Sequence, residues 1–532
     1  MALEQWWGGR LRSGSTALLS GMRETGGSLP FLRRIMGGAE HSPQTAIRQG
    51  LIAALMIMAG SWGVGWLTTS QLSLFARSRF LVPLRVEAYG VISCTLLLAL
   101  GSMLLCRSWL RLRQRTEPWG EHALAPIRRA VLVWSAPLLF TFPILSRDVY
   151  SYFAQGRLMH AGLSPYEHWI SQLPGWFAQG SDSLWAESSS PYGPLFLMFS
   201  RAVYFISGGV PEIGVIMFRA LAVAGVLLCL YTVPRLARQL GSEPSWALWI
   251  TVANPLFLLS MVAGVHNDAL MIGGILLSFW LIYTKHRFWG VLAAAVAIGI
   301  KPIVVLALPF LGLAMVGRQA ALRAKIGAWA YTGVLTAAVM ALFGVASGLG
   351  FGWIQAMAGA GSAAFPYAPV GLLGLGMGWV VQLFGGDLTF TAGIVYAFFK
   401  VLSLGLTFWL AVKKPAGSPV LYAAYSLTAA VVLAPIIQPW YVLWLVPLYA
   451  TARVYSVRWE RFYYVLTMLV VLSGVVDQLS VGQWFSLAAA RWIAAAAGLA
   501  YIGYLIFIDP KTASLFGARW RRPPIRNEAT ES

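Results

Sequence analysis

Long apolar runs alternate with short, arginine-rich breaks along most of this chain. Leu51–Leu67, Gly90–Leu105 and Val131–Leu145 are nearly free of charge. Each covers most of a ~30 Å hydrocarbon layer at ~1.5 Å per residue. The pattern predicts about 14 membrane segments, at 51–67, 89–105, 130–145, 215–234, 246–262, 269–284, 288–300, 303–317, 326–347, 391–412, 419–436, 441–453, 462–477 and 484–507. Two further amphiphilic stretches, 194–208 and 370–384, follow Pro-rich turns and are expected to lie at the outer membrane surface. The fold class is therefore all-α and integral to a membrane. A multi-pass domain over 51–508 is expected between basic cytoplasmic tails at 1–50 and 509–532.

Composition sharpens this picture. Hydrophobic residues make up 58% and charged residues 11%, against about 25% charged in an ordinary soluble domain. The net charge of +20 could suggest a nucleic-acid partner. The basic residues instead sit in clusters at the ends of apolar runs, as orientation signals do, so no nucleic acid is implied. With the N-terminus inside, most of the 39 Lys and Arg fall in cytoplasmic loops, and 146–214 becomes the longest outer loop. That loop is too polar for lipid and reads as short helices and turns. Cys94, Cys106 and Cys229 all lie in apolar segments, the first two about 18 Å apart along one helix, so no disulfide or Cys/His metal set is expected.

Charge next to hydrocarbon is costly and marks a site or a pathway. Four places stand out, all at expected outer helix ends. The first is Ser146-Arg147-Asp148-Val149-Tyr150-Ser151-Tyr152, followed by Gln155, Arg157 and Gly162-Leu163-Ser164-Pro165-Tyr166. Arg147 and Asp148 could neutralise each other at a helix end. In the functional reading Asp148 is a general base toward a sugar hydroxyl, and arginines clamp a phosphate that gains charge as it leaves. The second is the rigid turn Ser190-Pro191-Tyr192-Gly193-Pro194. The third is His266-Asn267-Asp268, three side chains able to bind hydroxyls in one tight turn. The fourth pairs Lys301-Pro302 with Gln438-Pro439-Trp440-Tyr441. A lysine at a helix break reaches a phosphate or snorkels to the interface.

The blocks around Arg147–Tyr152, Gly162–Tyr166 and Pro191–Leu195, with His266–Leu270, Lys301-Pro302 and Pro439–Tyr441, resemble the polyprenyl-phosphomannose-dependent α-1,6-mannosyltransferases of actinobacterial lipomannan and lipoarabinomannan synthesis. Gln438 stands where the resemblance leads one to expect His. The resemblance implies a GT-C glycosyltransferase fold in the bacterial cell membrane, with the active site facing outside. It implies inverting, metal-independent transfer of mannose from a polyprenyl-phosphate donor to a glycolipid or oligomannoside acceptor, with no cofactor. Asp148 is the candidate base, and Arg147, Arg157 and Lys301 are candidates for the donor phosphate. Tyr152, Gln155, Tyr166, Tyr192, His266, Asn267, Asp268, Gln438, Trp440 and Tyr441 are candidates for the sugar and acceptor sites. The absence of a Gly-rich nucleotide fingerprint and of an Asp-x-Asp motif agrees with a lipid-linked donor. The rivals are a relative using another donor, such as polyprenyl-phosphate arabinose, and a lipid or solute transporter. Polar residues gathered at one face, rather than at mid-membrane, disfavour the transporter.

Overall fold

A computed structural model describes residues 42–359, 368–413, 417–454 and 456–517. Among these residues there are helices and turns but no strand. Seven helices are long and apolar enough to cross a membrane: Pro43–Val64, Ala88–Thr116, Pro211–Gln239, Leu322–Ser347, Leu388–Val412, Val457–Asp477 and Leu487–Ile508. This is the architecture of a multi-pass membrane protein.

The remaining expected segments are shorter or broken. The run 246–262 is two pieces, Pro244–Thr251 and Pro255–Ala263, bent by 55°. Asn254 causes the break: its side chain accepts from the Leu256 amide, and Pro255 opens the next helix. The run from 288 to 317 is likewise interrupted, because Lys301 leaves the helix Arg287–Ile300 with extended backbone before Pro302. The two stretches expected at the surface are helical, as Pro194–Ile206 and Pro369–Leu383, of 13 and 15 residues. At ~1.5 Å per residue both fall short of a ~30 Å layer.

The tail boundaries also differ from expectation. The first described helix begins at Pro43, not Leu51, with the Ser42 hydroxyl accepting from the Gln44 amide and proline at the first helical position. The rest of the expected N-terminal tail lies outside the described residues. At the other end, Asp509 is buried and pairs with Arg107 at 2.7 Å, so residues up to 517 fold back on the bundle. Residues 518–532 of the expected C-terminal tail are outside the described set.

Two apolar clusters organise what remains. The larger unites long and short helices through residues such as Trp109, Trp134, Trp249 and Phe310. The smaller is rich in aromatics and joins the expected outer loop to the helices beside it: Tyr152 packs edge-on against Tyr192, Phe196 and Phe218 at 5.0–5.6 Å. That loop is more ordered than short turns. Its helix Asp148–His160 buries 11 of 13 residues, so nearly every face is covered. This helix carries Asp148 in its first turn and gives the site a rigid floor.

Candidate active site

The chain turns sharply just before Asp148. Leu145 has φ of +66°, a conformation costly for a branched residue. The Leu145 amide donates to Gln478 Oε1 at 2.9 Å, and Gln478 Nε2 donates to the Val64 carbonyl at 2.6 Å. One glutamine thus ties this turn to the end of the helix Pro43–Val64. Beyond the turn, Arg147 and Asp148 part company. Arg147 Nε donates to the Gly180 carbonyl at 2.9 Å, and its guanidinium lies 4.8 Å from the Trp66 ring and 5.4 Å from Phe177. Among the described residues no ion pair joins it to Asp148, so the self-neutralising helix end does not form.

Asp148 points instead toward a second strained turn. Val265 has φ of +60°, a marked outlier for a β-branched residue. A π-helical turn precedes it, closed by the Gly264 amide on Leu259 and the His266 amide on Ser260. The turn delivers His266 Nδ1 to 3.6 Å from Asp148 Oδ2, 3.7 Å from Asp268 Oδ2 and 3.5 Å from the Tyr152 hydroxyl. The imidazole leans on Trp440 at 4.1 Å between ring centres. Asp268 is fully buried. Lys301 Nζ and Trp444 Nε1 both donate to its Oδ1 at 2.6 Å, while Oδ2 makes no hydrogen bond. Chain segments distant in sequence therefore meet as Asp148, His266, Asp268 and Lys301.

The electrostatics follow from burial. Desolvation pushes the Asp148 carboxyl up to about 7; Lys301 opposes the shift and Asp268 adds to it. Burial lowers His266 to about 4, and the Asp268 charge only partly offsets this. At neutral pH the pair is therefore a neutral imidazole beside a carboxyl that readily gains or loses a proton. That is the state a general base requires.

The other expected residues fall into separate groups. Tyr192 lies edge-on to Tyr152 at 5.1 Å, and the Lys301 ammonium sits 5.7 Å from the Tyr192 ring and 4.8 Å from Trp444. Tyr441 stacks on Trp444 at 4.0 Å. Trp440 Nε1 and both side-chain polar atoms of Asn267 are buried without partners. Gln438 is buried as well. Gln155 accepts from Ser190 and the Tyr166 hydroxyl donates to the Tyr192 carbonyl at 2.9 Å, so both brace the Pro-rich turn. The three expected phosphate ligands have different partners: Lys301 holds Asp268, Arg147 holds Gly180, and Arg157 donates to the Pro174 carbonyl and Gln179. Arg157 thus secures the loop.

Beside His266 opens a cavity of about 140 Å³. Arg147, His266 and Trp440 line it, with Trp66, Asp182, Asp477 and Gln478, which the sequence reading did not select. Asp477 carried a signal, since it is an acid at the end of an apolar run, as Asp148 is. Among the described residues no three His, Cys, Asp or Glu side chains gather as a metal set.

A family model described as α-(1→6)-mannopyranosyltransferase, N-terminal domain, matches residues 47–317. The α-(1→6)-mannopyranosyltransferase A of Mycobacterium tuberculosis is 31% identical over 75% of this chain and 78% of its own length. The Corynebacterium glutamicum proteins named α-(1→6)-mannopyranosyltransferase A and B are 28% and 26% identical, over 66% and 76% of this chain and 78% and 72% of theirs. No solved structure matches.

Proposed function

Since the chain belongs to the α-(1→6)-mannopyranosyltransferase family and is a mannosyltransferase, we propose that it moves mannose from polyprenyl-phosphate-mannose to a mannan or lipoglycan acceptor, with inversion, at the outer face of the cell membrane. In this reading the fold is of GT-C type, and the other short and broken helices cross the bilayer with the seven long ones, while Pro194–Ile206 and Pro369–Leu383 lie at the surface. The observation that carries the reading is Asp148: a buried carboxylate beside a neutral histidine that lines a cavity, in a multi-pass protein.

The acceptor hydroxyl gives its proton to Asp148 as its oxygen attacks the anomeric carbon of the donor. The bond between that carbon and the phosphate oxygen breaks on the opposite face, and the lipid phosphate leaves with the electron pair. His266, held on Trp440, keeps the unshared face of Asp148 polar but uncharged. Lys301 supplies the nearest positive charge, shared with Asp268. General base catalysis of this kind is worth ~10²–10⁴-fold.

The test is transfer by purified protein from radiolabelled lipid-phosphate mannose to a short mannoside. Asp148→Asn should lose most transfer while retaining donor binding. Polyprenyl-phosphate arabinose is the comparison donor. Faster transfer from it than from the mannose donor would replace the donor assignment.

A further inference from the structure

We infer that the cavity beside His266 receives the terminal sugar of the acceptor, and that Asp477 and Asp182 select it by reading its hydroxyls. This rests on the transferase reading above and adds the location and chemistry of the acceptor.

Charge decides which substrate enters. Asp182 and Asp477 face the cavity against the single cation Arg147, which is already held by Gly180 and sandwiched by Trp66 and Phe177. A phosphate entering here would meet more negative than positive charge, whereas a neutral polyol would meet acceptors for its hydroxyl protons. The lipid donor's phosphate therefore belongs elsewhere, near the Lys301 ammonium among Tyr192, Tyr441 and Trp444.

Size and lining point the same way. The volume of about 140 Å³ is several times the roughly 30 Å³ share of one water. It suits one sugar ring and excludes a lipid chain with its headgroup. Trp66 and Trp440 supply apolar walls, and the buried Trp440 Nε1 is a donor without an acceptor. Trp66 is fixed, since its amide donates to the Pro143 carbonyl and its carbonyl accepts from the Tyr150 hydroxyl.

The cavity also lies next to the base. Its wall includes Arg147, which precedes Asp148 in sequence, and His266, whose Nδ1 is 3.6 Å from the Asp148 carboxylate. Asp477 and Gln478 come from the end of the helix Val457–Asp477, outside the matched residues 47–317. Gln478 locks this end to the turn at Leu145. Base and acceptor reader are thus positioned together.

Steady-state kinetics with a short α-mannoside, and alkylation of a Ser473→Cys variant at the exposed cavity rim, test this directly. Asp477→Asn and Asp182→Asn should raise the acceptor KM, by roughly ten- to a hundredfold for loss of a charge-assisted hydrogen bond. The donor KM should not move. The mannoside should slow alkylation of Ser473→Cys, and polyprenyl phosphate should not. An unchanged acceptor KM in both variants, or protection by polyprenyl phosphate instead, overturns the acceptor assignment. Asp148→Asn separates the two levels. If that variant is inactive while Asp477→Asn and Asp182→Asn behave as wild type, only the cavity assignment falls. If Asp148→Asn keeps full transfer, the catalytic reading itself falls.

Discussion

Two buried carboxylates a few ångströms apart take different roles because their partners differ. Asp268 receives Lys301 and Trp444 on one oxygen, whereas the Asp148 carboxylate lies 3.6 Å from a neutral histidine and its backbone amide donates to the Ser146 hydroxyl. Asp148 therefore carries a raised pKa of about 7, and its work as a base needs the ionised form. Transfer should rise with pH through about 7 and level off above it. The stability sign is opposite: with the folded value above the unfolded one near 3.9, Asp148's contribution is full below about pH 4 and lost as pH climbs through 7. A kcat profile reads the limb. A limb near 4 would belong to His266 and would remove Asp148 from the role. Lys301 gives a second expectation. Lys301→Met strands a fully buried Asp268, and breaking a buried pair costs roughly 3–5 kcal/mol. Thermal denaturation in detergent should show that loss, and Lys301→Met with Asp268→Leu should recover much of it. If Lys301 only served the donor phosphate, the single variant would be as stable as wild type.

At the scale of elements, close backbone approach positions the site. A Cβ on Gly193 would stand 2.3 Å from the Gly299 carbonyl oxygen, and the Gly193 amide donates to Ile300 at 3.0 Å. The turn bearing Tyr192 is thereby pressed against the break bearing Lys301. Gly193→Ala must part them, at a cost of roughly 1–3 kcal/mol for overpacking, and should lower both melting temperature and transfer rate. Gly376→Ala is the control, because its added methyl meets nothing within 4 Å and alanine favours helix. The helices themselves were legible, since an uncharged run long enough for lipid has few other uses. Their breaks were less so. Pro302 announced one break, but the 55° bend at Asn254-Pro255 was hidden inside a continuous apolar run. The early start at Pro43 was masked by Arg48 and the polar residues around it, although Ser42-Pro43 is itself a capping signal. In the site, Asp148, His266, Asp268 and Lys301 were legible as polar groups at apolar ends. Their pairing was not, because sequence spacing assigns a helical face and leaves the neighbour across the bundle undetermined. Hence the pairing of Lys301 with Asp268, and the place of Asp477 beside His266, emerge only in three dimensions.

At the scale of the whole molecule, two ion pairs mark the end remote from the site. Ion pairs Arg113–Glu460 and Arg107–Asp509 bind the termini of distant helices at 2.7 Å, at the opposite end of the helix Ala88–Thr116 from the Asp148 turn. Arg318 joins the same basic set through the Gly417 carbonyl, beside Arg323. Lys and Arg near span ends favour the cytoplasmic side, and on that ground we propose that the site end faces outside. The expectation is measurable because all three native cysteines are buried and should contribute little labelling. Ser183 is exposed in the loop beside Asp182, and Gln319 is exposed in the turn between Val316 and Leu322. In intact cells, Ser183→Cys should react with a membrane-impermeant maleimide, read as a gel shift, and Gln319→Cys should react only after permeabilisation. The two positions lie on loops of opposite charge character, so they must differ if the basic end faces the cytoplasm. Labelling of Gln319→Cys in intact cells, with Ser183→Cys protected, would put Asp148 on the cytoplasmic face. A lipid-linked donor would then lose its rationale, because nucleotide sugars are available there.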